Sequence, residues 1–134
     1  MDRKEQALAL HKHGFNCAQS VACSFCNVMG ADPETTFRLA EPFGLGMGAM
    51  ETCGVISGMA MVVGMNKSDG DMDNPKTKRE CYQLMQNLIA EFKEKNGSIV
   101  CREIKGVDTG NVLRTCDGCI EDAVELLDKH LLGL

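Results

Sequence analysis

The sequence predicts an all-α fold, a single-domain bundle of about six or seven helices, and two observations carry this prediction. Apolar residues recur at helical spacing along almost the whole chain, and no alternating apolar and polar run is long enough for a useful strand. A chain of 134 residues can also build one core without disulfides, since a domain of about 150 residues buries roughly two thirds of its unfolded surface. We therefore expect residues 1–134 to form one domain around a central Gly/Met-rich helix.

Capping residues justify the first three helices in order. Gly14 ends the first helix, and Asn16 caps a second that Gly30 closes. Asp32 followed by Pro33 is an N-cap with proline at the first helical position, which opens the third helix. The predicted ranges of these helices are 3–12, 17–29 and 33–39.

The second half contains four more predicted helices. A glycine-rich passage, 44–64, leads into the fourth helix, and a polar loop follows it. Pro75 opens the longest helix, which runs to about Lys95, and Ser98 caps a short sixth helix. A loop over 106–114 then precedes the last helix. The predicted ranges of the last three helices are 75–95, 98–105 and 116–131.

The apolar stretch 43–65 is long enough to cross a bilayer and carries only one charge, that of Glu51. It also holds six glycines and lacks the Lys/Arg asymmetry and the Trp/Tyr anchors of a membrane span. We therefore predict a buried central helix and no membrane association. Gly54 and Gly58 have the small-xxx-small spacing that lets a neighbouring helix approach closely.

Composition excludes one class of partner. The net charge is −5, the two signs of charge are interspersed, and aromatic residues make up only 4% of the chain. Nucleic-acid binding usually needs a basic stripe or aromatic platforms for base stacking, so nucleic acid is not expected as a partner.

The chain contains eight cysteines, a density typical of redox chemistry, metal binding or a disulfide framework. Its N-terminal segment MDRKEQALAL lacks the apolar core of a secretory signal, so we expect a cytoplasmic location. In a reducing compartment, clustered cysteines are more often ligands or redox thiols than permanent disulfides.

Helical phase, at about 100° per residue, separates the cysteines of the second helix. Cys17 shares an inward face with Val21 and Val28, whereas Cys23 points outward. Cys26 lies at the far edge of the apolar face. We therefore predict that Cys23-Ser24-Phe25-Cys26 resembles a CxxC pair only in spelling.

The same phase argument places the other cysteines. Cys81 shares the apolar stripe of the longest helix and is predicted to be an ordinary core residue. Cys101 and Cys116 lie on apolar faces, while Cys119 lies at the margin of its face. The cysteines that can point into one bundle interior are Cys17, Cys53, Cys101 and Cys116.

Two of these four positions favour a thiolate. Thr52 is predicted to cap the fourth helix, which places Cys53 in the first turn, and Cys116 starts the last helix. Free N–H groups and the helix dipole stabilise a thiolate at such positions. The adjacent carboxylates of Glu51 and Asp117 oppose the effect.

The cysteine pattern resembles that of a family of small redox-active proteins named C_GCAxxG_C_C after its signature. Residues 15–19, Phe-Asn-Cys-Ala-Gln, are similar to the first element, and residues 53–58, Cys-Gly-Val-Ile-Ser-Gly, to the CGAxxG motif. Residues 97–103 and the helix from Cys116 resemble the third and fourth elements, so the resemblance spans nearly the whole chain. The departure is Val55, where the family has alanine. The resemblance implies redox activity, and a related domain accompanies haem in split-Soret-type cytochromes, where an iron–sulfur cluster has been suspected.

Two classes of function follow. In the first, the chain is a redox or electron-transfer module, and Cys17, Cys53, Cys101 and Cys116 ligate an iron–sulfur cluster or cycle between dithiol and disulfide, with Cys53 and Cys116 as the redox thiols. A redox partner protein is then expected, and the chain can also form a homo-oligomer.

In the second class, the chain is a structural protein whose thiolates bind zinc or copper, or which buries its cysteines without a cofactor. The wide spacing of the four cysteines argues equally against a structural zinc motif and against a ferredoxin-type motif.

Two further chemistries are disfavoured by the sequence. The histidines lie on polar or terminal segments, so nothing nominates the Cys–His pair of a hydrolase; they are His11, His13 and His130. The central methionines resemble a Cu(I) site, but their helical spacing is more typical of core packing; they are Met47, Met50, Met59, Met61 and Met65.

Overall fold

The computed structural model describes residues 2–134, and this range forms eight α-helices, which confirms the all-α prediction. A 3₁₀ turn covers Glu41–Phe43, a turn with positive φ angles covers Gly46–Met50, and a π-helical turn covers Asp128–Leu132. The helices are α1 Arg3–His13, α2 Cys17–Ser24, α3 Cys26–Met29, α4 Pro33–Ala40, α5 Gly54–Lys67, α6 Lys78–Asn96, α7 Cys101–Lys105 and α8 Cys116–Leu127.

The core surrounds α5, which contacts α2, α6 and α8. Its buried face carries Val55, Met59 and Val62, all without exposed surface. A methyl group added at Gly58 would lie 2.9 Å from the Ala18 carbonyl oxygen, on α2. The glycine spacing therefore serves the close helix contact that the sequence predicted. Within residues 2–134, no helix has the length and apolar character needed to cross a membrane.

The second predicted helix is divided in two. The chain leaves regular helix geometry at Phe25, with φ −103° and ψ −5°, and α3 begins at the next residue. Phe25 is fully buried, so its ring lies in the core at the break between α2 and α3. The helical phase does not continue past the break, and the predicted inward position of Val28 is wrong, since this side chain is 47% exposed.

Two predicted helix starts are also wrong. The longest helix begins at Lys78 rather than Pro75, because the Asp71 carboxylate accepts the N–H groups of Asp73 and Asn74 and holds the preceding loop in turns. The sixth predicted helix, α7, begins at Cys101 rather than residue 98. Val100 is extended there, because an isolated β-bridge pairs it with Thr52.

Helices α1 and α8 are antiparallel and joined by polar contacts along their length. The Arg3 Nε atom lies 2.9 Å from Asp128 Oδ1 at one end of the pair. At the other end, His11 Nδ1 lies 2.8 Å from Asp117 Oδ1. This pairing brings His11 beside the first turn of α8.

Candidate functional site

Five cysteines line one cavity of about 140 Å³, and we call it the cysteine cavity. Four of them are the predicted inward set. The fifth is Cys119, which the helical phase had placed at a margin; its side chain is 2% exposed. The cysteines of the cavity are Cys17, Cys53, Cys101, Cys116 and Cys119.

Two helix starts carry cysteines into the cavity. Cys17 is the first residue of α2, whose start is held by a capping box: the Gln19 N–H donates to Asn16 Oδ1 and the Asn16 N–H donates to Gln19 Oε1, both at 2.9 Å. Cys116 is the first residue of α8, and there the Gly118 N–H donates to Thr115 Oγ1 at 3.0 Å. Both cysteines are half-buried.

The isolated β-bridge between Thr52 and Val100 brings Cys53 and Cys101 into the cavity wall. The Cys53 N–H donates to the Ile99 carbonyl at 2.7 Å, and the Cys101 N–H donates to the Glu51 carbonyl at 2.6 Å. The predicted helix cap at Thr52 is wrong, because Thr52 belongs to this bridge and Cys53 itself occupies the cap position of α5.

A left-handed turn passes over the cavity. Leu45 lines the cavity, and Leu45 and Met47 adopt positive φ angles of 54° and 63°. Such angles cost a non-glycine residue roughly 1–2 kcal/mol. A methyl group at Gly46, where φ is 59°, would lie 2.9 Å from Cys101 Cβ. Glycine at this position therefore allows the turn to rest against Cys101.

The thiols of Cys17 and Cys116 form an unequal pair. The pKa of Cys116 is lowered to about 5, first because its thiolate accepts a hydrogen bond from the Cys17 thiol. The charges of Lys105 and His11 lower this pKa further, and burial opposes them. The pKa of Cys17 is raised, first by the same hydrogen bond and then by burial. At neutral pH the pair is therefore one thiolate and one thiol.

Cys53 and Cys119 form a second pair of the same kind. The pKa of Cys53 is lowered, first by the Cys119 thiol and then, against the effect of burial, by the backbone N–H groups of Val55 and Ile56. The pKa of Cys119 is raised by its hydrogen bond with Cys53, by burial and by the charge of Cys53. Burial raises the pKa of Cys101, the fifth cysteine, followed by the charge of Cys53.

Both positions expected to favour a thiolate thus have a lowered pKa, although the main cause is different. The sequence argument relied on the helix start, whereas in the structure the first cause at Cys53 and at Cys116 is a neighbouring thiol. Helix N–H groups act on Cys53 as a further cause.

Sequence reasoning missed two residues of the site. Cys119 had a signal, since Cys116-Asp117-Gly118-Cys119 is a CxxC segment at a helix start. His11 had none, because its place beside Cys116 depends on how α1 packs against α8. The sequence nominated no Cys–His pair, and the structure places His11 on the wall of the cavity that Cys116 lines.

The remaining cysteines lie elsewhere. Cys81 is half-buried at the edge of the core rather than fully inside it. Cys23 and Cys26 line a different cavity together, so the prediction that they resemble a CxxC pair only in spelling is wrong. Of the central methionines, Met59 is fully buried as expected of core packing, but Met47 is 58% exposed.

Two cationic side chains line the cysteine cavity, those of Arg114 and Lys105. Arg114 lines the cavity and is held by Asp122, with Nε 3.1 Å from Oδ2. Lys105 also lines the cavity, and its charge lowers the pKa of Cys116. In the described part of the chain, 2–134, no three His, Cys, Asp or Glu side chains converge on a position for a single metal ion.

Comparison with known proteins gives one match. A family model described as "putative redox-active protein (C_GCAxxG_C_C)" matches residues 15–130, a range that includes all five cysteines of the cavity. Neither the curated proteins nor the solved structures that were searched contain a match.

Proposed function

The chain belongs to the C_GCAxxG_C_C family of redox-active proteins, and we propose that it exchanges two electrons with the disulfide of a redox partner protein at the cysteine cavity. The observation that carries this proposal is that Cys17 and Cys116 line one cavity, with the pKa of Cys116 lowered and the pKa of Cys17 raised. A thiolate is the attacking species in thiol–disulfide exchange, and a neighbouring thiol is needed to resolve the mixed disulfide.

Cys116 is the attacking residue in this scheme. It is half-buried, whereas Cys53 is only 7% exposed, so a partner reaches the Cys116 sulfur first. Its pKa of about 5 keeps it ionised at neutral pH. Lys105 and His11 stabilise the negative charge from the cavity wall.

The reaction has two steps. The Cys116 thiolate attacks one sulfur of the partner disulfide; the partner's S–S bond breaks, a mixed disulfide forms at Cys116, and the other partner sulfur leaves as a thiolate. Cys17 then gives up its proton and attacks Cys116 Sγ, which forms the Cys17–Cys116 disulfide and releases the second partner sulfur. Cys17 and Cys116 together lose two electrons, and the partner disulfide gains them. The proton from Cys17 converts one of the two released thiolates to a thiol.

The second pair supplies a further two-electron couple. Cys53 and Cys119 repeat the arrangement of thiolate and thiol, but both side chains are buried. We assign this pair to exchange within the cavity after the first disulfide has formed. Cys101 has no thiol partner in this scheme.

The proposal is tested by mixing the reduced protein with hydroxyethyl disulfide and following adducts by mass spectrometry. Cys116→Ser should lose the fast reaction, and Cys17→Ser should accumulate a mixed disulfide at Cys116 because the resolving thiol is absent. Cys81→Ser, outside the cavity, is the matched control and should react as the wild type does. Equal rates for Cys116→Ser and Cys81→Ser would contradict the proposal.

The same cavity favours a second candidate, an iron–sulfur protein. Thiolates are the usual ligands of such clusters, and the four predicted cysteines line one cavity, so the donor set fits. Cys17, Cys53, Cys101 and Cys116 would hold the cluster, which would supply one-electron transfer.

Cys101 distinguishes the two candidates. Anaerobic reconstitution with iron and sulfide, followed by a visible spectrum and metal analysis, should load the wild type and fail with Cys101→Ser if the cluster is held as above. Thiol exchange at Cys116 should survive in the same variant, because Cys101 lies outside the Cys17–Cys116 pair. A wild-type chain that takes up no iron and sulfide, but exchanges with disulfides, would leave the first proposal standing and reject the second.

A further inference from the structure

We propose that Cys23 and Cys26 form a second dithiol–disulfide couple, separate from the cysteine cavity, which reacts with low-molecular-weight uncharged disulfides in an apolar cavity of its own. This inference does not depend on the proposed function, because none of the five cysteines of the cysteine cavity takes part.

The cavity that contains this pair has the size of a small-molecule site. Its volume is about 610 Å³, within the roughly 300–1,000 Å³ typical of ligand pockets. It lies between the end of α1, the α2–α3 break and the start of α4. Apolar side chains form much of its wall, among them Leu10, Phe15, Pro33 and Phe37. The Phe15 and Phe37 rings pack edge to face, with centroids 4.9 Å apart.

The two thiols are placed to join. Residues three apart on a helix have Cα atoms about 5 Å apart, which is inside the range of about 4.4–6.8 Å found in disulfides. Regular helix geometry holds the Cβ atoms slightly too far apart for a disulfide. The break at Phe25 lies between the two cysteines, so the chain there is not bound to regular geometry. The two thiols line the same cavity, and the charge of Cys26 acts on the pKa of Cys23.

Burial assigns the two roles. Cys23 is half-buried at the cavity wall, whereas Cys26 is 3% exposed and its Sγ lies 3.8 Å from the Ala22 carbonyl oxygen. A disulfide in the cavity therefore meets the Cys23 sulfur first. Cys26 is the resolving residue.

The reaction balances as an exchange with a disulfide RSSR. Cys23 loses its proton and attacks one sulfur; the S–S bond of RSSR breaks, a mixed disulfide forms at Cys23, and RS⁻ leaves and takes up that proton. Cys26 then loses its proton and attacks Cys23 Sγ, which forms the Cys23–Cys26 disulfide and releases the second RS⁻, protonated in turn. The two cysteines lose two electrons, and RSSR becomes two RSH molecules.

At neutral pH, the Cys23–Cys26 couple should react with disulfides more slowly than the thiols of the cysteine cavity do. The pKa of Cys23 is raised to about 11, first by burial, then by the charge of Cys26 and the hydrogen bond between the two thiols. Little Cys23 thiolate is therefore present at neutral pH. The Cys17–Cys116 and Cys23–Cys26 couples should differ in reaction rate as well as in location.

The test uses hydroxyethyl disulfide with the reduced full-length protein at mildly alkaline pH, followed by differential alkylation and fragment-ion mapping. In the wild type, Cys23 and Cys26 should become protected together as an internal disulfide. In Cys26→Ala, a stable mixed disulfide should accumulate at Cys23, since no resolving thiol remains. Cys23→Ala should give no adduct at Cys26, and Cys81→Ala should match the wild type.

The proposal is overturned if Cys23 and Cys26 stay fully alkylatable in the wild type after treatment with hydroxyethyl disulfide, whatever happens at Cys17 and Cys116, and if Cys26→Ala forms no adduct at Cys23. The pair would then be core packing. Should the alanine variants fail to fold, the wild-type mapping decides alone. Because each cysteine is assigned separately, failure here is distinguishable from failure of exchange at Cys116.

Discussion

Two segments of this protein share the CxxC spacing and differ in the pKa of their half-buried thiol and in the thiols with which they interact. Residues 116–119 form the first turn of α8, and residues 23–26 lie where α2 ends and α3 begins. The pKa of Cys116 is lowered to about 5, and the pKa of Cys23 is raised to about 11. The first cause at Cys116 is the hydrogen bond from the Cys17 thiol, whereas the first cause at Cys23 is burial.

The two segments also differ in the origin of their thiol partners. Cys23 interacts with Cys26, three residues away in the chain. Cys116 interacts with Cys17, and Cys119 with Cys53, so each thiol of the second CxxC pairs with a distant cysteine rather than with its neighbour. The spacing alone therefore does not determine which thiols interact; the packing around it does.

The largest expected difference between the segments is in the pH dependence of alkylation. Between about pH 6 and about pH 9, the rate at Cys116 should stay nearly constant because it is already ionised above its pKa of about 5. The rate at Cys23 should rise about tenfold per pH unit, roughly a thousandfold in total, because the whole range lies below its pKa of about 11. Site-resolved mass spectrometry measures both. Parallel profiles would show that the two environments are equivalent.

The next largest effect is expected from Gly58→Leu, which should disturb the interaction of Cys116 with Cys17 more than that of Cys23 with Cys26. A Cβ at this position would lie 3.0 Å from Val21 Cβ on α2. Overpacking of this kind typically costs about 1–3 kcal/mol of the free energy of unfolding. The pKa of Cys116 depends first on Cys17 of α2, whereas the pKa of Cys23 depends on burial and on Cys26. We therefore expect the Cys116 profile to move to higher pH and the Cys23 profile to move less.

Gly64→Leu is the matched control on the same helix. A Cβ at Gly64 meets no atom within 4 Å, and leucine is a better helix former by up to about 1 kcal/mol. Chemical denaturation should therefore show Gly64→Leu to be at least as stable as the wild type. If both variants lose equal stability, the close contact between α2 and α5 does not support the site.

The smallest expected effect tests the charge beside Cys116. Lys105→Met should raise the pKa of Cys116 by less than about one unit, since interactions of exposed charges contribute about 0.2–1 kcal/mol and one unit corresponds to about 1.4 kcal/mol. The shift should be read from the alkylation profile at about pH 4 to 6, and it should shrink as salt is added. Lys93→Met, on exposed α6 surface, should leave the profile where it is. An unchanged profile in Lys105→Met would assign the lowered pKa to Cys17 and the remaining contacts.

The sequence by itself determined the helices and much of the cavity. Helix starts and ends are chosen by neighbouring residues, so the caps at Asn16 and Asp32 and the stops at Gly14 and Gly30 could be placed from the sequence. The inward phase of the cysteines is equally local, because it depends only on the helical repeat. The phase argument failed at Val28, where the helix broken at Phe25 no longer follows that repeat.

Only the tertiary structure decided which thiols meet. The pairs Cys17–Cys116 and Cys53–Cys119, and the approach of His11 to Cys116, join residues that are far apart in the chain. The bridge between Thr52 and Val100 is also distant, and a pairing of two residues leaves no alternating pattern to detect. A thiol has an ordinary pKa until burial, charge and a hydrogen-bond partner act on it together. Those three influences exist at Cys116 only after α1, α2 and α8 have packed.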